Sequence, residues 1–272
     1  MNANARPFKS WVVQDGMTLM WQGRAVIAIA VLLTILLAGL SAAIPGPALL
    51  GEDGAPSLPG AIWQVILFIL HAAPLIPVAY VSHIAVLRSV VGIAALRSDG
   101  LCGILRFGRA MLVAVFVLAI LATLYQLIFV SDILLMTAGR LEADSSLRLV
   151  FGAVMVIAAL VAFVLLGSWG AVSTQRGQVA FGDVLQVGRQ SFWFALLRVI
   201  AVMLFLPIMS ALGLPLMGQV GAILVALGVA ADPAFLIVSA GFSALIACFA
   251  VVLVSVIFCR VWLESEKVKL KQ

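Results

Sequence analysis

Six apolar runs, each about 20 residues or longer, constrain this chain more than any other feature. They extend approximately from Ala25 to Ile44, Ala61 to Leu87, Ala110 to Val130, Leu149 to Val172, Phe192 to Leu212 and Ala234 to Cys259. A helix rises about 1.5 Å per residue, so about 20 residues cross a hydrocarbon core about 30 Å thick. No water is present there to satisfy backbone N–H and C=O groups, so each run must close its hydrogen bonds internally. Composition agrees. Charged residues make up 10% of the chain and hydrophobic residues 65%, whereas a soluble domain carries roughly 25% charged residues. A soluble fold would lack the polar side chains to cover its surface. The expected fold class is all-α: a polytopic transmembrane helix bundle of about six spans, with residues 1-272 as a single transmembrane domain.

Charge gives the direction of the spans. Arg6, Lys9 and Arg24 precede span one. Arg88, Arg97, Arg106 and Arg109 lie between spans two and three, and Arg176 and Arg189 between spans four and five. Arg198 falls just inside span five, and Arg260, Lys267, Lys269 and Lys271 follow span six. The other loops hold only Arg140 and Arg148 among basic residues, with Glu52, Asp53, Asp132, Glu142, Asp144 and Asp232. Lys and Arg are retained on the cytoplasmic side during insertion. Both termini are therefore expected in the cytoplasm, with the protein in a bacterial-type inner (plasma) membrane. The net charge of +5 is a topological signal on this reading, and no nucleic-acid partner is expected. The first span is too long for a signal-peptide core and is expected to be retained. Gly218 to Ala231, about 14 apolar residues rich in flanking glycine and proline, suits a re-entrant or interfacial helix by length.

A recurring pattern precedes the odd spans. Asp15-Gly16 leads to Gly23-Arg24, Asp99-Gly100 to Gly108-Arg109, and Gly182-Asp183 to Gly188-Arg189, at intervals of about 80–85 residues. Two-span repeats over 15-88, 99-176 and 182-260 follow from it. Each Asp is expected near the start of a short interfacial helix as its cap. Leu19 and Met20, Leu101 and Leu105, and Val184 and Leu185 are expected to face lipid or the bundle. Arg24, Arg109 and Arg189 are expected at one depth, at the cytoplasmic boundary. This layout resembles the six-span membrane domain of bacterial glycerophosphodiester phosphodiesterases and its stand-alone relatives. The resemblance covers most of the chain but rests on layout, and no segment is long enough for the family's catalytic domain. It implies a membrane module without that activity, and no functional residue is carried over.

Candidate polar positions are few. His71 and His83, the only histidines, lie roughly 120° apart around one helix, so they do not share a face. His83 is expected near the headgroups. His71 lies beside the kink-forming Pro74 and Pro77, and Gln64 and Ser82 fall on about its face. A histidine bonded to a neighbouring helix is the favoured reading over a cavity-lining one. Arg198 is expected to snorkel to the inner edge. Cys102, Cys248 and Cys259 are odd in number, lack a C-x-x-C arrangement and read as packing residues. No phosphate-binding loop, nucleophile elbow or metal-ligand cluster is present. No catalytic residue, cofactor or metal is expected. The expected function is a non-enzymatic membrane protein that organises lipid or a partner protein at its cytoplasmic face. A transporter or channel with a small polar cavity near span two is the alternative.

Overall fold

The computed structural model describes residues 11–44, 46–50, 57–137, 145–176 and 181–269. Arg6, Lys9, Glu52, Asp53, Arg140, Glu142, Asp144 and Lys271, used in the charge reading above, lie outside those residues. The helices are α1 (Val12–Gln22), α2 (Arg24–Ala43), α3 (Leu58–Ala72), α4 (Leu75–Arg88), α5 (Ile93–Arg97), α6 (Gly100–Thr137), α7 (Ser145–Leu166), α8 (Trp169–Arg176), α9 (Phe181–Gln190), α10 (Phe192–Ala226) and α11 (Ala231–Lys269). Among the described residues, five helices are long and apolar enough to cross a membrane, or six if the pair α3–α4, bent by 42°, counts as one. The fold is thus an all-α polytopic bundle. The bend falls at Ala73 and Pro74, where proline removes a backbone donor.

α11 is the pillar of the bundle. Half of its most apolar window is buried in protein, against 17% in each of the other four straight spans. α10, α2, α4, α1, α8 and α9 all pack against it. Burial is concentrated toward one end. Leu253, Val256, Ile257, Phe258 and Cys259 are almost inaccessible. Around them lie Val172 from α8, Val184 and Val187 from α9, and Ala195 and Val199 from α10. At the other end, Ile29, Leu36 and Leu40 of α2 and Leu212, Leu216 and Ile223 of α10 are exposed, as lipid-facing positions should be. The short helices therefore form a packed collar around one end of a bundle whose other half presents apolar faces outward.

Packing register locates the spans better than hydropathy does. Val252 lines a crevice with Gly23 and Val26, so it is level with the start of α2. α2 and α11 are antiparallel, with Gly241 near Ile35 and Gly39 near Leu236. The 20 residues of α2 are then matched by Ala231–Val252. Likewise Val202 of α10 packs with Leu253, Phe205 with Phe249 and Gly213 with Phe242. From Val202 onward α10 packs along the half of α11 that pairs with α2, while Ala195 and Val199 pack with the collar helices; the whole of Phe192–Ala226 is long and apolar enough to cross a membrane. This corrects the sequence reading of Gly218 to Ala231. Its first nine residues are the last part of α10, which runs unbroken past Pro207 and Pro215. The sequence reading ended span five at Leu212 because Gly213 and Pro215 follow it, whereas α10 continues through both.

The segments before the odd spans differ more than their sequences suggest. α1 and α9 are separate short helices, whereas the stretch from Gly100 is continuous with span three in the 38-residue α6. Asp15 is no cap: Trp11 holds that position. Asp15 is buried in the first turn of α1 and pairs with Arg260 of α11. That contact places the beginning of α1 and the last part of α11 at the same end of the bundle. Phe107 touches Tyr80 and His83 of α4, so Arg109 lies near the level of Arg24. Arg189 does not. It precedes Phe192, and about ten residues of helix, roughly 15 Å, separate Phe192 from the level of Val202. Leu101 and Leu105 are exposed, while Leu19 and Val184 are buried.

The Gly-Arg glycines also differ physically. A methyl group on Gly188 would lie 2.3 Å from the Leu165 carbonyl oxygen of α7, whereas one on Gly108 would meet only Ile76, at 3.9 Å. We expect Gly188→Ala to destabilise the protein by about 1–3 kcal/mol through overpacking. Gly108→Ala should be neutral or stabilising by up to about 1 kcal/mol in helix propensity. Thermal unfolding in detergent reads the difference. Equal effects would contradict the α7–α9 contact. Asp15→Asn should cost about 3 kcal/mol, since a half-buried Arg260 would lose its paired charge. Replacing Asp15 and Arg260 together by apolar residues should recover most of that loss in the same measurement.

Candidate functional site

The chain between α4 and α6 turns through three residues in left-handed backbone: Ser89 (φ 59°), Gly92 (φ 62°) and Gly100 (φ 60°). Glycine suits the last two because it carries no Cβ; at Gly92 a methyl group would also lie 2.9 Å from the Gln22 carbonyl oxygen. These bends bring Asp99 back against the end of α4. Arg88 Nη1 donates to Asp99 Oδ1 at 2.5 Å, and Arg88 Nη2 donates to the Thr174 carbonyl at 2.6 Å. Thr174 lies in the last turn of α8, where carbonyls lack partners within the helix, so one guanidinium fastens three elements. The Tyr80 hydroxyl donates to Asp99 Oδ2 at 3.3 Å. Gly103 makes this possible, because a methyl group there would lie 2.4 Å from Asp99 Cβ and 2.9 Å from Tyr80 Oη.

These residues line a cleft of about 390 Å³ together with Cys102, Arg106, Ser173 and Gln175. The Ser173 and Thr174 hydroxyls both donate to the Gly170 carbonyl. Arg106 is exposed and has no ion pair or hydrogen bond among the described residues. The cleft thus holds two guanidinium groups against one carboxylate, and it opens beside the first turn of α6, the positive end of that helix. Such an arrangement favours an anion with several acceptor oxygens, which arginine binds in a fork geometry.

Deeper in the collar, His83 is buried. Its Nδ1–H donates to the Ala79 carbonyl at 2.7 Å, and its ring meets Phe107 edge-on at 5.1 Å. His83 is thus enclosed by protein on the sides that the sequence left open. α8 covers it at Gly170, where a methyl group would lie 2.7 Å from Nε2. His83 Nε2, Ser168 Oγ and Trp169 Nε1 are buried without hydrogen-bond partners among the described residues.

The polar positions singled out from sequence are not brought together. His71 Nδ1–H donates to the Leu67 carbonyl of its own helix at 2.8 Å, so the bond to a neighbouring helix is corrected: the ring turns back one turn along α3. Gln64 is half-buried on α3. Ser82 lies beyond the bend and is bonded to the Val78 carbonyl, so the bend breaks the supposed polar stripe. Arg198 donates to the Phe194 carbonyl and lies over the Phe194 ring at 3.5 Å. Arg24 stacks on Trp21 at 4.8 Å, and Arg109 and Arg189 are exposed.

Tyr80, Arg88, Asp99 and Arg106 as a group escaped the sequence reading. Their signal was available. Arg88 and Asp99 flank a segment with glycine at its turns, and Tyr80 lies eight residues before Arg88, roughly 80° away around the helix. Among the described residues, no group of three His, Cys, Asp or Glu side chains gathers as a metal site would require. No protein-family model, curated protein or solved structure matches the chain.

Arg88 carries the geometry of the cleft. Arg88→Ala loses both the Asp99 pair and the Thr174 bond, whereas Asp99→Asn loses only a partly exposed charge pair. We expect Asp99→Asn to cost about 1 kcal/mol or less and Arg88→Ala to cost about 1.5–3 kcal/mol, measured by denaturant or thermal unfolding in detergent. The reverse order would show that Asp99, not Arg88, organises this seam.

Proposed function

We propose that this chain is a non-enzymatic multi-pass protein of a bacterial-type inner membrane, with both ends in the cytoplasm, that organises lipid or a partner protein through its collar. The observation that carries this reading is a tightly packed collar, rich in arginine, with a polar cleft open at its side. Arg24, Arg88, Arg97, Arg106, Arg109, Arg189, Arg198 and Arg260 all belong to the collar or its edge. Retention of basic residues in the cytoplasm supports the reading of this end as the inner face. The exposed Met17 and Trp21 on α1, with Arg24 stacked on Trp21, are suited to the headgroup region, where tryptophan and arginine concentrate. The unequal depths of Arg24 and Arg189 weaken the threefold repeat, and with it the layout resemblance to the phosphodiesterase membrane domain.

The transporter reading draws on the 42° break between α3 and α4 and on a cleft at the end of that same span. Between the bend and the cleft, α4 carries Tyr80, His83 and Ile84, which are packed with almost no accessible surface. This favours the organising role.

A reporter active only in the periplasm, fused after Gln272, should be inactive while a cytoplasmic reporter at the same place works; the opposite pattern would overturn the topology. Protein purified in mild detergent should retain lipid or a partner on native mass spectrometry. A bare chain that instead conducts solutes in liposomes would replace the organising reading with transport.

A further inference from the structure

The cleft between α4, α6 and α8 has features that a bracing role leaves unused, and their chemistry points to one class of ligand. Arg88 is committed to Asp99 and Thr174, and this pair holds the cleft's shape. Arg106 braces nothing among the described residues, yet it lines the same cleft. With the carboxylate offset by Arg88, Arg106 and the positive end of α6 leave the cleft with excess positive charge. The guanidinium of Arg88 also keeps donors beyond the two it uses, and the Gln175 amide adds donors at the rim. The volume of about 390 Å³ falls within the roughly 300–1,000 Å³ typical of small-molecule sites, which favours an esterified anion over a bare ion.

Depth narrows the choice. Phe107 follows Arg106 directly and touches Tyr80 and His83, at the level of Gly23 and Arg24 where α2 begins. Trp21 and Arg24 mark that level as the headgroup region, the depth at which phosphate groups are most abundant. Resting on the assignment of the collar to the inner face, we propose that this cleft is a binding site for a phosphate ester, held by Arg106 and the free donors of Arg88, with Asp99 and Tyr80 fixing the orientation of Arg88. A lipid headgroup and a soluble phosphate ester share this chemistry.

The test uses the whole chain, purified in an uncharged detergent and stripped of lipid. Three probes are titrated calorimetrically: dioctanoyl phosphatidylglycerol, dioctanoylglycerol without phosphate, and glycerol 3-phosphate. The phosphate-bearing lipid should bind saturably, and the lipid lacking phosphate should not. Arg106→Gln should weaken binding by about tenfold or more, as should Arg106→Ala. Arg97→Gln, which removes an exposed charge outside the cleft, should leave binding unchanged. Gln175→Ala, at the exposed rim, should weaken it to a smaller degree and serves if the Arg106 variants fold poorly. Displacement of the lipid by glycerol 3-phosphate at comparable concentration would assign the site to a soluble ester; failure to displace would assign it to a bilayer lipid. The site is overturned if the two dioctanoyl lipids bind equally, if no phosphate-bearing probe binds saturably, or if folded Arg106→Gln binds like the original. Lipid or protein still retained on purification of that variant would leave the organising role standing without this site.

Discussion

The collar half of α11 carries Leu253, Val256, Ile257 and Phe258 as a continuous apolar surface. Water disfavours such a surface by roughly 25 cal/mol for each Å² left exposed, so other elements must enclose it. α1, α8, α9 and the ends of α4 and α10 do so, and much of the geometry at that end follows. The enclosing helices approach closely because glycine lets them: a methyl group on Gly16 would lie 2.5 Å from Leu253, and one on Gly167 would lie 1.9 Å from the Phe258 ring. Once that surface is enclosed, the Asp15–Arg260 pair lies largely out of water, where a single unmatched charge would be costly.

The two halves of the molecule consequently have different mechanical character. Toward the collar, side chains interlock around a pillar, and close-packed interiors resist deformation. Away from it, the spans present leucine and isoleucine outward, and lipid fills the space around them. A rigid, arginine-rich collar is well placed to hold polar groups at fixed positions. The cleft forms where enclosure is incomplete. Arg88 and Asp99 must keep contact with each other and with the α8 terminus, and polar side chains in that position prevent α4, α6 and α8 from closing into an apolar seam. The same residues that brace the collar thus leave a polar opening in its side.

Several sequence readings failed for a shared reason. Hydropathy cannot distinguish apolar residues facing lipid from apolar residues facing protein. Nor does it show where one helix ends: span five read as Phe192 to Leu212 with an extra apolar piece after it, whereas α10 is one helix from Phe192 to Ala226. The first of these limits is why His83 looked peripheral: its place near the end of a span is legible, but the cover supplied by Phe107 and Gly170 is not. The three Asp/Gly pairs looked alike because a dipeptide carries no record of its partners. In the fold, Asp15 meets Arg260, Asp99 meets Arg88, and Gly16 and Gly100 serve close packing and a left-handed turn respectively.

By itself the sequence determined that the chain is helical, that it is a membrane bundle of five to six crossings, and where the basic residues gather. These follow from local composition and from the rule that backbone groups in lipid must bond within their own segment. Only the tertiary structure decided which apolar stretches are collar and which are span, that α11 is the pillar, and that Tyr80, Arg88, Asp99 and Arg106 surround one cleft. Those outcomes depend on contacts between residues far apart in the chain, such as Arg88 with Thr174 and Asp15 with Arg260. No local pattern encodes them, because burial and pairing are properties of the assembled neighbours and not of the residue alone.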